Sequence, residues 1–105
     1  MFRKNNKIDS YIGFARKSNK LALGTEACIS KMKAGKIRIL VVSEDVSADT
    51  KNKLESVAKT TKTKIVFYGD SIETGKIAGN QGSVAYGVMD DNLSEAIYNE
   101  VCNMK

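Results

Sequence analysis

The chain has 105 residues, which predicts a single domain over residues 1–105. Hydrophobic residues make up 42% of it and charged residues 28%, a balance that is ordinary for a folded protein and excludes a disordered one. The 17 Lys and Arg residues against 12 Asp and Glu give a formal charge of +5, which favours polyanionic partners, and the absence of histidine excludes imidazole-based catalysis and metal ligation.

The first half of the chain predicts two helices and two strands. A first helix is indicated by apolar residues at helical spacing, namely Ile8, Tyr11, Ile12 and Ala15. The run KLAL predicts a short strand, after which Gly24 begins a second helix that ends at Gly35. The run KIRILVVS, residues 36–43, is almost entirely aliphatic, which predicts a strand in the middle of the sheet that is covered on both faces.

The second half continues the same alternation. Ser47 is expected to cap a third helix, whose apolar stripe is Leu54, Val57, Ala58 and Thr61. KIVFYG and SVAYGVM predict strands on either side of a short helix in SIETGKIAG, and a fifth helix follows with the stripe Leu93, Ala96, Ile97 and Val101. Short connections between alternating helices and strands predict an α/β fold, a three-layer α/β/α sandwich with a four-stranded mixed sheet and about five helices.

Two stretches, one glycine-rich and one acidic, have residue types that also occur in ligand sites. The glycines of GKIAGNQGSVAYG match neither the dinucleotide fingerprint nor the phosphate loop, which favours a role in turns and packing. The acids of SEDVSADT lack the spacing of a calcium loop, so we expect them to cap the helix that follows. The sequence therefore predicts no cofactor and no metal.

The sequence also predicts the location of the protein and the state of its two cysteines. The beginning, MFRKNNKIDS, lacks the apolar segment of a secretory signal, and no run approaches the roughly 20 apolar residues that cross a membrane. We expect a cytoplasmic protein without a membrane partner. Cys28 and Cys102 have no paired spacing, which predicts two reduced, buried thiols rather than a disulfide or a zinc site.

Four ordered features carry a resemblance to a known family. They are IGFARKSNKLALG, the distance from Gly24 to Gly35, ILVVSEDVSADTKNK and ETGKIAG. Together they resemble the kink-turn-binding ribosomal protein superfamily, most closely its small bacterial YlxQ-like branch, from about Ile12 to Asp90. The resemblance implies a non-enzymatic protein that binds structured RNA, either ribosomal RNA or another kink-turn RNA. We expect this protein to be a monomer.

The resemblance also implies a binding site. Members dock sheared G·A pairs of RNA at the start of the second helix and at neighbouring loops, where backbone amides and the helix dipole attract phosphate. Carried over to this chain, the RNA-binding residues are Lys20, Gly24, Thr25, Glu26, Ala27, Ser30, Ser47, Lys51, Asn80, Gln81 and Gly82.

This chain departs from the family at the base-reading positions. Many members carry Asn, then Glu and, three residues later, Lys, where an ungapped alignment places Glu26, Ala27 and Ser30. A carboxylate only accepts hydrogen bonds, so it cannot donate to guanine as an Asn amide does. Glu26 thus has two interpretations: it stabilises the positive end of the helix, or it accepts a hydrogen bond from a base amine.

Two other functions remain as alternatives. One is a protein-interaction module that has kept the fold and lost RNA readout, which the missing Asn, Glu and Lys would permit. The other is a small enzyme or nucleotide binder on a similar fold, which is disfavoured because the sequence shows neither a nucleophile with a base nor a phosphate motif.

Overall fold

A four-stranded mixed sheet forms the middle layer of the protein. The computed structural model describes residues 4–104, and within them the strands are β1 (Leu21–Leu23), β2 (Ile39–Val42), β3 (Lys64–Phe67) and β4 (Ala85–Val88). Their order across the sheet is β1-β4-β2-β3. β2 runs parallel to β3 and antiparallel to β4, which is also antiparallel to β1.

Five helices over the described residues cover the two faces of the sheet. They are α1 (Asn6–Lys17), α2 (Thr25–Lys33), α3 (Ala48–Thr61), α4 (Glu73–Ala78) and α5 (Asp91–Cys102). One hydrophobic core lies between the sheet and α1, α4 and α5, and the other lies between the sheet and α2 and α3. The predicted α/β/α sandwich is confirmed.

β2 contributes to both cores, as its aliphatic sequence predicts. Ile39 and Val41 pack in the core under α1, α4 and α5, whereas Leu40 and Val42 pack in the core under α2 and α3. Alternate side chains of a strand point to opposite faces, so a strand with two covered faces needs apolar residues throughout. All four are fully buried, with a strand on each side of β2.

The start of α3 is capped by the predicted serine but not by the acid before it. The Ser47 hydroxyl accepts a hydrogen bond from the Thr50 amide at 3.3 Å. Asp45 instead accepts from the hydroxyl of Ser71 at 2.7 Å and from its amide at 3.1 Å. The expectation that the acids of this segment cap α3 is therefore wrong for Asp45, which joins the loop before α3 to the loop before α4.

The two cysteines differ in environment. Cys28 lies fully buried in the core beneath α2, and this burial raises the pKa of its thiol to about 12. Cys102 is exposed, so the prediction of a second buried thiol is wrong: it follows Val101, the last buried residue of the α5 stripe. None of the helices within residues 4–104 has the length and hydropathy to cross a membrane.

Candidate nucleic-acid interface

Four loops meet at the edge of the sheet where β1, β2 and β3 end and β4 begins. We call this region the strand-end edge and define it as residues 24–27, 43–47, 68–72 and 79–84. β4 is antiparallel to both of its neighbours, so its first residue lies beside their last ones. Backbone bonds tie these loops to β4 and to each other: the Gly24 amide donates to the carbonyl of Ala85, the first residue of β4, at 3.0 Å, and the Ser43 amide donates to the Val84 carbonyl at 2.9 Å.

The start of α2 presents backbone amides at this edge. Gly24 precedes the helix with φ 93° and ψ 159°, a conformation that is essentially restricted to glycine. No side chain within the described residues caps the helix, and its first internal bond runs from the Cys28 amide to the Gly24 carbonyl at 3.0 Å. The amides of Thr25, Glu26 and Ala27 therefore precede the internal bonding of the helix and suit an external acceptor.

Glu26 forms an ion pair that neither interpretation of the sequence includes. Its carboxylate lies 2.9 Å from the ammonium of Lys53 on α3, and the two side chains are 82% and 54% exposed. A pair this exposed contributes about 0–1 kcal/mol to stability. The carboxylate does not bond the amides of its own helix, so Glu26 is a neutralised surface acid that remains accessible to a ligand.

The predicted residues of α3 lie near the same edge. Lys51 is exposed, and its ammonium lies 5.1 Å from the centre of the Phe67 ring at the end of β3. That contact fixes the direction of the side chain without neutralising its charge. The Ser47 hydroxyl oxygen already accepts a hydrogen bond from the Thr50 amide as the cap of α3. Its second lone pair is the acceptor that is left for a ligand.

The loop that contains Asn80, Gln81 and Gly82 is held by its backbone. The Asn80 amide donates to the Gly75 carbonyl at 2.8 Å, and the Gly82 amide donates to the Ser71 carbonyl at 2.7 Å. A Cβ atom on Gly75 would come within 2.8 Å of the Asn80 carbonyl oxygen, so the loop packs directly on a glycine of α4. All three loop residues are exposed, so the side-chain amides of Asn80 and Gln81 are accessible to solvent.

Not all of the predicted residues lie together. Ala27 and Ser30 are exposed on the first two turns of α2, Ser30 one turn beyond the strand-end edge. Lys20 lies at the opposite edge of the sheet, where its carbonyl accepts from the Met89 amide at 2.8 Å. Four residues of extended chain separate it from Gly24 by roughly 13 Å.

The strand-end edge also carries acids whose proximity the sequence did not predict. Glu44, Asp45 and Asp70 come from two separate loops and join Glu26 there. Partial burial acts to raise the pKa of Asp45, but the hydrogen bonds that its carboxylate accepts, chiefly from Ser71, together outweigh this effect and hold its pKa below the usual value. Asp70 accepts from the Glu73 amide at 2.7 Å, so it stabilises the start of α4.

Comparison with known proteins identifies relatives that span most of the chain. The model of the ribosomal protein L7Ae/L30e/S12e/Gadd45 family matches residues 6–98. The large ribosomal subunit protein eL30 of Candida albicans is 27% identical over 84 residues, which cover 75% of this chain and 79% of that protein.

Two solved structures share the fold. A Bacillus halodurans protein, described as having unknown function, superposes with a TM-score of 0.87 at 22% identity, covering 93% of this chain and 99% of that one. The Giardia lamblia 15.5kD RNA binding protein superposes with a TM-score of 0.81 at 12% identity, covering 99% of this chain and 94% of that one. Both likenesses extend over the whole sandwich.

Proposed function

The chain belongs to the ribosomal protein L7Ae/L30e/S12e/Gadd45 family, and from this premise we propose that it binds structured RNA of the kink-turn type at the strand-end edge. The family is one of ribosomal proteins rather than enzymes, so the predicted superfamily and the predicted lack of catalysis are both confirmed. We further propose that it acts as a monomeric single domain in the cytoplasm, in association with the ribosome or another ribonucleoprotein.

The uncapped start of α2 is the observation that carries this proposal. Its free amides and the positive end of its dipole suit a phosphate or the acceptor atoms of a base edge. Gly24 lacks a side chain, and nothing lies within 4 Å of the position that a Cβ atom would occupy, so a ligand can approach the backbone closely. The relatives support the same choice, because one is named as a ribosomal subunit protein and another as an RNA binding protein.

Recognition on this surface rests on shape more than on base identity. Ala27 has no polar side-chain atom, Ser30 is short, and the Glu26 carboxylate only accepts hydrogen bonds, so none of the three base-reading positions carries a long donor. The groups that remain are the α2 amides, Thr25, the Lys51 ammonium and the Asn80 and Gln81 amides. Such a set fits a kinked RNA backbone with exposed base edges, since RNA is read largely through shape and unpaired bases.

We expect the protein to bind a kink-turn RNA at least about tenfold more tightly than an unkinked duplex of equal length, which is the effect of one good base contact of about 1–3 kcal/mol. Fluorescence anisotropy with both RNAs over a range of salt concentrations measures this difference. A kink-turn RNA with its G·A pairs replaced by Watson–Crick pairs is the control. Equal affinity for all three RNAs would contradict kink-turn recognition.

Replacing Glu26 with Gln tests the role of the acid. Because Glu26 is paired with Lys53, we expect Glu26→Gln to release that ammonium and remove a negative charge near the phosphates. RNA affinity should then rise by a few-fold, and the free energy of unfolding should fall by no more than about 1 kcal/mol. Binding and thermal unfolding of the same variant measure both quantities.

Lys53→Gln supplies the matched control, because it breaks the same pair and leaves the acid unneutralised. Lys53→Gln should weaken RNA binding, and it should lower the free energy of unfolding by about as much as Glu26→Gln does. A loss of preference for the kink-turn RNA in Glu26→Gln, without a change for the duplex, would show instead that the carboxylate accepts from a base amine.

A protein-interaction module is the second candidate, and the acids of the strand-end edge favour it. Glu44, Asp45 and Asp70 add negative charge to this surface beside the Glu26–Lys53 ion pair, and RNA phosphates do not favour such charge. The binding experiment separates the two functions. Absence of binding to any RNA at low salt would contradict the RNA-binding function and favour this candidate.

A further inference from the structure

A second charged surface lies at the edge of the sheet opposite the strand-end edge. A cavity of about 360 Å³ opens there, and we call it the basic cleft. The cationic residues that line it are Lys20, Lys31, Lys36 and Arg38. None of the described residues that line it is acidic, whereas a larger cavity of about 440 Å³ beside it contains both Asp91 and Glu95.

The lysines of the basic cleft are not needed to terminate the helices beside them. α1 and α2 both end here in the same turn, a residue with positive φ followed by a lysine. The Lys20 amide donates to the Ala15 carbonyl at 2.8 Å, and the Lys36 amide donates to the Lys31 carbonyl at 3.0 Å. Backbone amides thus satisfy carbonyls in the last turn of both helices, so the lysine side chains are not needed for those carbonyls.

The positive charge of the cleft is largely unneutralised. The ammonium groups of Lys20, Lys31 and Lys36 have no hydrogen bond or ion pair within residues 4–104. Arg38 pairs with Asp91 at 3.0 Å, but both side chains are at least half exposed, so the pair is weak.

We propose that the basic cleft binds RNA phosphates and forms a second RNA contact, separate from the strand-end edge. This inference rests on the proposed RNA-binding function. The cations come from the start of β1, from α2 and from the segment before β2, so the fold fixes their spacing around a concave surface. Fixed cations around a concavity suit the backbone of a folded RNA, which presents phosphates at regular intervals.

The cleft lacks the features of a protein interface. Met89 is the one apolar side chain among the described residues that line it, and no aromatic residue is present. Protein interfaces depend on buried aromatic and apolar anchors, whereas RNA interfaces are polar and positively charged. Because the two surfaces lie at opposite ends of β1, the RNA segment in the cleft is distinct from the segment that contacts α2.

The test compares two triple variants of the full chain that lose the same charge. Lys20→Gln, Lys31→Gln and Lys36→Gln together remove the lysine charges of the basic cleft, whereas Lys7→Gln, Lys59→Gln and Lys76→Gln remove three lysine charges on other surfaces. Affinity is measured against salt for a kink-turn RNA with long helical arms and for an unkinked duplex. Circular dichroism and thermal unfolding establish that both variants are folded.

We expect the cleft variant to bind both RNAs at least tenfold more weakly, and its salt slope to fall by roughly 0.7–0.9 for each phosphate that is no longer neutralised, or about two units in all. The control variant should keep most of its slope. A similar weakening in both variants would show that only overall charge matters and would overturn the proposal. Unchanged RNA binding in the cleft variant would also overturn it, and would leave an acidic protein surface as the partner to test.

The preference for kinked RNA separates this proposal from the one on which it rests. If the wild type prefers the kink-turn RNA and the cleft variant binds it normally, the cleft proposal fails and the strand-end edge stands. If the wild type shows no preference but the cleft variant alone loses affinity and slope, kink-turn recognition fails and the cleft remains an RNA phosphate site.

Discussion

Gly24→Ala is expected to lower the free energy of unfolding by about 1–3 kcal/mol, because only glycine adopts the backbone conformation of residue 24 without strain. No atom lies within 4 Å of the added methyl group, so the cost comes from the backbone and not from a clash. If the backbone of residue 24 rotates to relieve this strain, the first amides of α2 change direction. We therefore expect affinity for the kink-turn RNA to fall by about tenfold, which equals about 1.4 kcal/mol. Thermal unfolding and anisotropy measure the two effects.

Gly13→Ala is the matched control for this substitution. Gly13 lies inside α1, its φ is not positive, and the space around its missing Cβ is also open. The same chemical change there should stabilise the protein by roughly 0.5–1 kcal/mol, because alanine favours the helix. Its RNA binding should stay unchanged. Equal stability of the two variants would mean that residue 24 is not strained, and normal RNA binding by Gly24→Ala would remove the start of α2 from the site.

Local patterns predicted the elements of this fold because each element carries its own signal. The aliphatic run of β2 indicated a strand with two covered faces, and the Ser47 cap marked the start of α3. The insertion of β4 between β1 and β2 carries no such signal, since strand pairing is decided by contacts distant in sequence. Gly87 illustrates this: a Cβ there would collide with the side chain of Ile37, a residue far away in the sequence that only the folded chain brings beside it.

The candidate site was harder to predict than the fold for the same reason. Lys20 and Gly24 are close in sequence, but the strand between them carries them to opposite edges of the sheet. Glu26 and Lys53 are distant in sequence, yet α2 and α3 pack side by side and bring their charges within 2.9 Å. Distance along the sequence was therefore misleading in both directions. Glu26 and Lys53 are distant in sequence but belong to one surface, whereas Lys20 and Gly24 are close in sequence but belong to two.

Folding also separates positive and negative charge onto different surfaces, which the composition alone does not reveal. Cations of the first half of the sequence collect around the basic cleft, while acids from three loops collect at the strand-end edge. We propose that these two surfaces contribute in different ways to RNA binding: backbone amides and loop shape at the strand-end edge give selectivity, and phosphate attraction in the basic cleft gives affinity. Salt should thus weaken overall affinity more than it weakens the preference for kinked RNA.

Tyr68→Phe is expected to lower the free energy of unfolding by about 1.5–3 kcal/mol, because the hydroxyl that it removes makes a charge-assisted hydrogen bond. The Tyr68 hydroxyl at the end of β3 lies 2.6 Å from the Asp9 carboxylate and accepts from the Asn5 amide at 2.8 Å. It thereby fixes the start of α1 against the strand-end edge. Tyr86→Phe is the matched control: Tyr86 is equally buried, but its hydroxyl donates to the neutral Ser83 carbonyl, so we expect a smaller cost of about 0.5–1.5 kcal/mol.

The pH dependence of this difference identifies the hydroxyl as its cause. Burial and then the hydrogen bond to Asp9 raise the pKa of Tyr68 above the value of about 10 that tyrosine has in the unfolded chain. A raised pKa in the folded state gives stability that is fully present below pH 10 and is lost as the pH rises further, because the unfolded chain then ionises first. The free-energy difference between wild type and Tyr68→Phe, measured by urea unfolding, should therefore be constant from about pH 7 to 9 and shrink above pH 10. A difference that stays constant or grows at high pH would place the cost in packing rather than in the bond between Tyr68 and Asp9.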